Sequence, residues 1–186
     1  GFVFLSRLYL EQGDKLAALQ ALEKASKSSN AALQTMIRHA QLLREIQGIE
    51  ASRVLLAEFS DRYPENPELL KYLAEAEEEC GNLEYAQSVT RRALELKPED
   101  PELHRLLGKI QDKSGYLDQA ALSFSKAIAY DPQDVHGYIE LSRTFYQQRE
   151  YVKAREVLEE GVTHNPRDIQ LLLALANLGR ESKDYS

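Results

Sequence analysis

The chain has no tryptophan, one cysteine and one methionine in 186 residues. A single cysteine, Cys80, cannot close an internal disulfide. It stands one residue before Gly81, where a packed thiol at a helix end is expected rather than a redox or metal centre. Only nine glycines and six prolines occur, too few for a collagen-like or low-complexity chain and in keeping with a helical one. No apolar run is long enough to span a membrane, so direct membrane insertion is not expected. Phe2 to Leu5 is too short for the core of a signal peptide and reads as helix. Positive charge is also in deficit: 23 Lys and Arg against 30 Asp and Glu give a net charge of −7. That deficit speaks against nucleic acid as a partner, since binding a phosphate backbone needs a clustered positive field. Catalytic signatures are missing as well, with no glycine-rich phosphate loop, no G-x-S-x-G elbow and no HExxH pair. Neither enzymatic activity nor a cofactor or metal is expected.

What the chain does have is a beat. Pro64, Pro98, Pro132 and Pro166 are each separated by 34 residues, and such a period marks a stacked repeat architecture. Aligned on these prolines, the units are 33–66, 67–100, 101–134 and 135–168, preceded by a partial unit 1–32 and followed by a partial unit 169–186. The eighth position is always small (Ser6, Ala40, Ala74, Gly108, Ser142, Ala176), and so is the twentieth (Ala18, Ser52, Ala86, Ala120, Ala154). Two helices that cross closely require this. The units close on Asn66, Asp100, Asp134 and Asp168, the first two followed by Pro67 and Pro101. An Asx side chain caps the unpaired amides of a first turn, and proline at the first helical position has no amide hydrogen to leave unpaired. Mid-unit breaks fall at Gly13, Gly48, Gly81 and Gly115, where glycine takes the positive φ that ends a helix. Each unit therefore reads as helix, tight turn, helix.

These residues resemble the tetratricopeptide repeats. Unit 101–134 supplies Leu107, Gly108, Ala120, Phe124, Ala127 and Pro132, and unit 67–100 supplies Leu70, Leu73, Ala74, Ala86, Ala93 and Pro98, in the family's register. The resemblance covers essentially the whole chain. It implies an all-α fold, a right-handed superhelical solenoid of antiparallel helix pairs with about five units and a partial sixth. Departures are the lack of tryptophan at position 4, His39 in place of leucine, Phe59 in place of alanine, and Asn30 where proline is usual. They bear on the packing of the first two units rather than on the fold.

His39, His104, His136 and His164 fall at four different repeat positions, and His39 and His104 are expected to be packed rather than liganding. The acidic run Glu75, Glu77, Glu78, Glu79 lacks a liganding loop and is expected to form a solvated face. At the C-terminal end, Leu171, Leu172, Leu173, Leu175 and Leu178 spread apolar surface around one helix, whereas a terminal repeat normally shows a polar outer face. The chain is therefore expected to continue beyond its ends, with Tyr185 opening a further helix, or to self-associate through Leu171, Leu172, Leu175 and Leu178.

The resemblance further implies that first helices line a concave face. The residues placed there are Arg38 and Arg44, Lys71 and Glu75, Arg105 and Lys109, and Arg143 and Tyr146. Within an acidic protein this is a locally basic strip. Arg105 and Lys109 are like charges one helical turn apart, which costs an isolated helix roughly 0.2–0.5 kcal/mol. Two explanations compete: a groove for an acidic peptide, or ion pairing across repeats with Glu75, Glu102 or Glu140, worth about 0–1 kcal/mol per pair. The carboxylate clamp of the chaperone-binding members is absent, because Lys71 is followed by Glu75, Leu106, His136 and Glu140 at the clamp's positions. The asparagine ladder of the glycosyltransferase-associated repeats is absent too. The expected function is a non-catalytic scaffold that holds a peptide or helix of a partner protein. The alternative is a structural arm of a larger enzyme or export assembly, and a cytoplasmic location is the starting expectation.

Overall fold

The computed structural model describes residues 1–28 and 31–181; Asn30 and Tyr185 lie outside the described residues. It is all-α, with eleven helices among those residues packed in sequence as antiparallel pairs. They form two compact units, Gly1–Leu96 and Lys97–Ser186. The first holds α1 (Phe2–Glu11), α2 (Lys15–Ser26), α3 (Leu33–Gln47), α4 (Ile49–Arg62), α5 (Pro67–Glu79) and α6 (Leu83–Leu96). The second holds α7 (Pro101–Lys113), α8 (Leu117–Tyr130), α9 (Val135–Gln147), α10 (Tyr151–His164) and α11 (Ile169–Glu181).

The expected helix starts are made by their caps. Asn66 Oδ1 accepts from the amides of Glu68 and Leu69 at 3.1 and 3.0 Å, and Asp100 Oδ1 from Glu102 and Leu103 at 3.0 and 3.2 Å. Asp134 accepts from His136 N at 3.1 Å and Asp168 from Leu171 N at 3.0 Å. Orphan amides of the first turn are thereby satisfied or, at Pro67 and Pro101, removed. The pair-joining turns need positive φ. Gly13, Gly81 and Gly115 adopt φ of 78°, 83° and 80°, and Arg149 holds the same register at φ 62° without glycine's freedom. Gly48 differs. It alone joins α3 to α4, serving as the last cap of one and the first of the other at φ 93°, ψ 175°.

Small residues bring the helices of each pair together. Ala18, Ala40, Ala74, Ala86, Ala120 and Ala154 are buried. At two crossings a serine hydroxyl donates across the pair, Ser52 to the Ala40 carbonyl at 2.9 Å and Ser142 to the Ala154 carbonyl at 2.7 Å, whereas Ser6 donates within α1 to the Val3 carbonyl at 2.8 Å. Aromatic bulk is matched by missing bulk: the Phe124 ring lies over Gly108, and Tyr138 over Gly161. The two departures from the repeat pattern in 33–66 answer each other. His39 and Phe59 are both buried with ring centroids 6.1 Å apart, and Phe59 packs on Met36, Ile37 and Leu69. His39 Nδ1 lies 2.9 Å from the Ser26 hydroxyl, and burial pushes its pKa below the ordinary histidine value. His104 is also packed, its Nε2 donating to the Pro98 carbonyl at 2.8 Å with the ring stacked on Tyr130.

Candidate functional site

In the first unit the expected groove residues sit on α3 and α5. Arg38 is exposed and has no carboxylate partner among the described residues. Arg44, also exposed, reaches from α3 to Glu79 on α5 at 2.7 Å. The Lys71 ammonium lies 5.6 Å from the centre of the Tyr72 ring. Glu75 is half-buried at the rim of a cavity of about 90 Å³ between α3, α4 and α5. The deep wall of that cavity is Ile37, Ala40, Leu56 and Ala76; Gln41, Arg44 and Glu75 stand among its lining polar residues. Gln41 occupies the register position that carries groove residues in the other units, and was legible there; the cavity was not.

The acidic run of α5 departs from expectation. Glu77 and Glu78 are 1% and 2% exposed, so it is not a solvated face. The α4 helix packs against this side of α5, and its Arg53 Nη1 meets Glu77 Oε1 at 3.1 Å while Asn82 Nδ2 donates to Glu77 Oε2 at 2.6 Å. Arg53 also binds Glu50, whose carboxylate accepts from Cys80 Sγ at 3.4 Å. The arginine holds the Glu50 carboxyl below its usual range, and burial pushes the half-buried Cys80 thiol up. Charge identity alone could not give this, because the direction in which each carboxylate points depends on the rotation of α5.

In the second unit the strip is laced with carboxylates. Arg105 Nε lies 3.3 Å from Asp134 Oδ2, so Asp134 caps α9 through one oxygen and meets α7 through the other. Arg143 Nη2 lies 3.2 Å from Asp112 Oδ2. Glu140 sits among these groups. Burial raises its pKa and Asp134 adds to the rise, against the pull of Arg105, Arg143 and Lys109. Tyr146 contacts Tyr151 edge to face at 5.2 Å. Cross-repeat pairing is thus part of the strip, with Asp134 and Asp112 among its acids. Arg143 nonetheless keeps about half its side chain exposed, at 53%.

The apolar end helix also differs in detail. Leu171 and Leu178 are buried with Tyr138 and Leu158 in the core of the second unit, and Leu175 is half-buried against them. The three share one face of α11 at spacings of four and three, so they are taken up internally. The exposed apolar surface there is Leu172 at 44% and Leu173 at 57%, with Ile169 beside them. Among the described residues, no helix is long and apolar enough to cross a membrane, and no group of three or more His, Cys, Asp or Glu side chains could hold a metal ion.

Matches to the tetratricopeptide repeat model extend over residues 49–110 and 113–178, and a second model of the same repeat matches residues 2–31. The chain belongs to the tetratricopeptide repeat family. A comparison with curated protein sequences finds no match. Solved structures share the fold at low identity. MamA residues 41 to the end from Desulfovibrio magneticus RS-1 align with a TM-score of 0.78 at 14% identity, covering 90% of this chain and 95% of that one. TTC0263, a thermophilic repeat protein of Thermus thermophilus, gives 0.69 at 20% identity, with 95% and 96% covered. YrrB, described as a repeat protein with an unusual peptide-binding site, gives 0.72 at 19% identity, with 93% and 89% covered. Repeats of this family generally mediate protein–protein interaction, and the scaffold is typically non-catalytic.

Proposed function

We propose that this chain is a non-catalytic interaction module whose first helices hold an acidic peptide or helical segment of a partner protein and so organise a complex. The observation that carries the reading is the placement of exposed guanidinium groups on those helices in a protein of net charge −7: Arg38 and Arg44 on α3, Arg143 on α9. Their ion pairs do not remove this capacity. The Arg44–Glu79 pair is exposed on both sides, and such pairs are worth about 0–1 kcal/mol. An incoming carboxylate can therefore exchange with Glu79 at small cost and gain a charge-assisted hydrogen bond, while Arg143 offers the exposed half of its side chain without leaving Asp112.

The test is capture of partners from the native lysate by the wild type and by an Arg38→Gln/Arg44→Gln/Arg105→Gln/Lys109→Gln/Arg143→Gln variant, read by mass spectrometry. Neutral glutamine is preferred to charge reversal, because glutamate at 105 would set a like charge toward Asp134, the cap of α9, whose Oδ2 now lies 3.3 Å from Arg105 Nε. Acidic partners lost from a variant with unchanged helical content are expected; equal capture would overturn the reading.

A second reading has its own observation. The exposed Ile169, Leu172 and Leu173 on α11 support a structural arm whose apolar face is covered by another part of a larger enzyme or export assembly. Polar substitution of Leu172 and Leu173 would then abolish assembly without affecting peptide capture.

A further inference from the structure

We infer that the cavity between α3, α4 and α5 is an anchor pocket that takes one aliphatic side chain of the bound segment, next to an acidic residue that meets Arg38 or Arg44. The inference rests on the peptide-binding reading above and gives it a sequence preference.

Size selects the occupant. A cavity of about 150 Å³ accommodates benzene; about 90 Å³ leaves room for roughly three or four carbons, the end of a valine, leucine or isoleucine. Chemistry selects it too. The inner wall is Ile37, Ala40, Leu56 and Ala76, all buried. Two hydroxyl-bearing residues line the cavity, Ser52 and Tyr72. Ser52 already donates to the Ala40 carbonyl and the four inner-wall side chains carry no polar atom, so a polar side chain inserted against that wall would give up water without regaining a donor from it. The rim is polar: Gln41 is exposed and carries an amide suited to a peptide backbone, Arg44 is exposed beside it, and the half-buried Glu75 stands on the α5 side, so the acidic residue of the segment belongs on the α3 side, toward the arginines. Arg38 lies one turn before Gln41 on the same helix, exposed and with no carboxylate partner among the described residues. Apolar floor, amide rim and flanking guanidinium groups are the complement of an extended segment with an aliphatic residue beside a carboxylate.

Selection from a displayed library of random short linear peptides tests this on the full chain. Two variants block the pocket. Ala76→Leu fills it from the wall, and Gln41→Trp covers it from the rim at an exposed position that carries no packing load. The wild type is expected to enrich an aliphatic residue adjacent to an acidic one. Both variants should lose the aliphatic preference, keep the acidic one, and bind a wild-type-selected peptide roughly ten- to a hundredfold more weakly, as losing the burial of one such side chain implies. If Ala76→Leu alters the circular dichroism spectrum, Gln41→Trp carries the decision. Acidic peptides without an aliphatic position, or an aliphatic preference unchanged in the variants, would overturn the pocket and leave the groove reading standing. Aliphatic, non-acidic peptides lost in both variants would uphold the pocket and overturn the acidic reading. Enrichment of nothing would overturn both.

Discussion

Replacing Gly108 with alanine sets two effects of opposite sign against each other. In the interior of α7 alanine is favoured over glycine by about 1 kcal/mol. A Cβ at residue 108, however, would lie 2.6 and 2.7 Å from Phe124 Cε1 and Cδ1 and 3.0 Å from Cγ. Phe124 is fully buried in one cluster with Ala120, Tyr138 and Leu141, so its ring cannot swing away. Overpacking of this kind costs about 1–3 kcal/mol, and the net expectation is a loss of about 1 kcal/mol. The other units point to the compensating change. Where the twenty-fourth position is Leu56, Thr90 or Leu158, the eighth is Ala40, Ala74 or Ser142. Phe124→Leu alone should cost about 1–2 kcal/mol through the space it leaves, and the Gly108→Ala/Phe124→Leu double variant should be no less stable than Phe124→Leu alone. The cycle then has a coupling energy of at least about 1 kcal/mol. Guanidinium unfolding of all four proteins, followed by far-ultraviolet circular dichroism, measures it. A Gly108→Ala protein more stable than the wild type, or strictly additive changes, would refute the packing argument.

Three further outcomes are expected. Glu77→Ala removes the buried acceptor of Arg53 and Asn82 and should cost about 3 kcal/mol in urea unfolding, the low end for a broken buried pair because Arg53 keeps Glu50; a loss below about 1 kcal/mol would contradict a bridging role. Glu140 has a raised folded-state pKa, so the protonated form is favoured on folding and stability falls as pH rises from below the unfolded value of about 4.3 through the folded one. Glu140→Gln should therefore be more stable than the wild type at neutral pH, with the gap closing in acid, as paired denaturation curves would show. Gly48→Ala places a side chain at φ 93°, ψ 175°, a region essentially reserved for glycine, and should cost about 1–3 kcal/mol, more than Gly115→Ala in the ordinary left-handed region; equal melting shifts would count against that distinction.

Much of the fold follows from spacing. The prolines 34 residues apart, the Asx caps and the small residues at the helix crossings specify local geometry: where a helix starts, where the backbone turns, and where two backbones come close. These are short-range properties of residue type, and the helices begin and cross where they indicate. Arg149 shows that the turn geometry persists at φ 62° even where the residue does not favour it, because α9 and α10 on either side impose it.

What the sequence could not decide is which way a side chain faces once helices pack. Glu77 and Glu79 belong to one acidic run, yet Glu77 is buried on Arg53 of α4 while Glu79 meets Arg44 of α3. Arg105 and Lys109 read as an unbroken basic strip until Asp134, placed by the α9 cap, comes to 3.3 Å from Arg105. Leu171 and Leu172 are neighbours in sequence, one fully buried and the other exposed. The cavity beneath Gln41 has no sequence signal, since it is a space left between three helices rather than a property of any residue. Periodicity thus determined the helices and their order; tertiary packing determined which charges are paired, which apolar groups are covered and where an empty space remains between helices. The reason is that burial and pairing depend on the rotation and separation of helices to within an ångström, and residue type alone does not encode that.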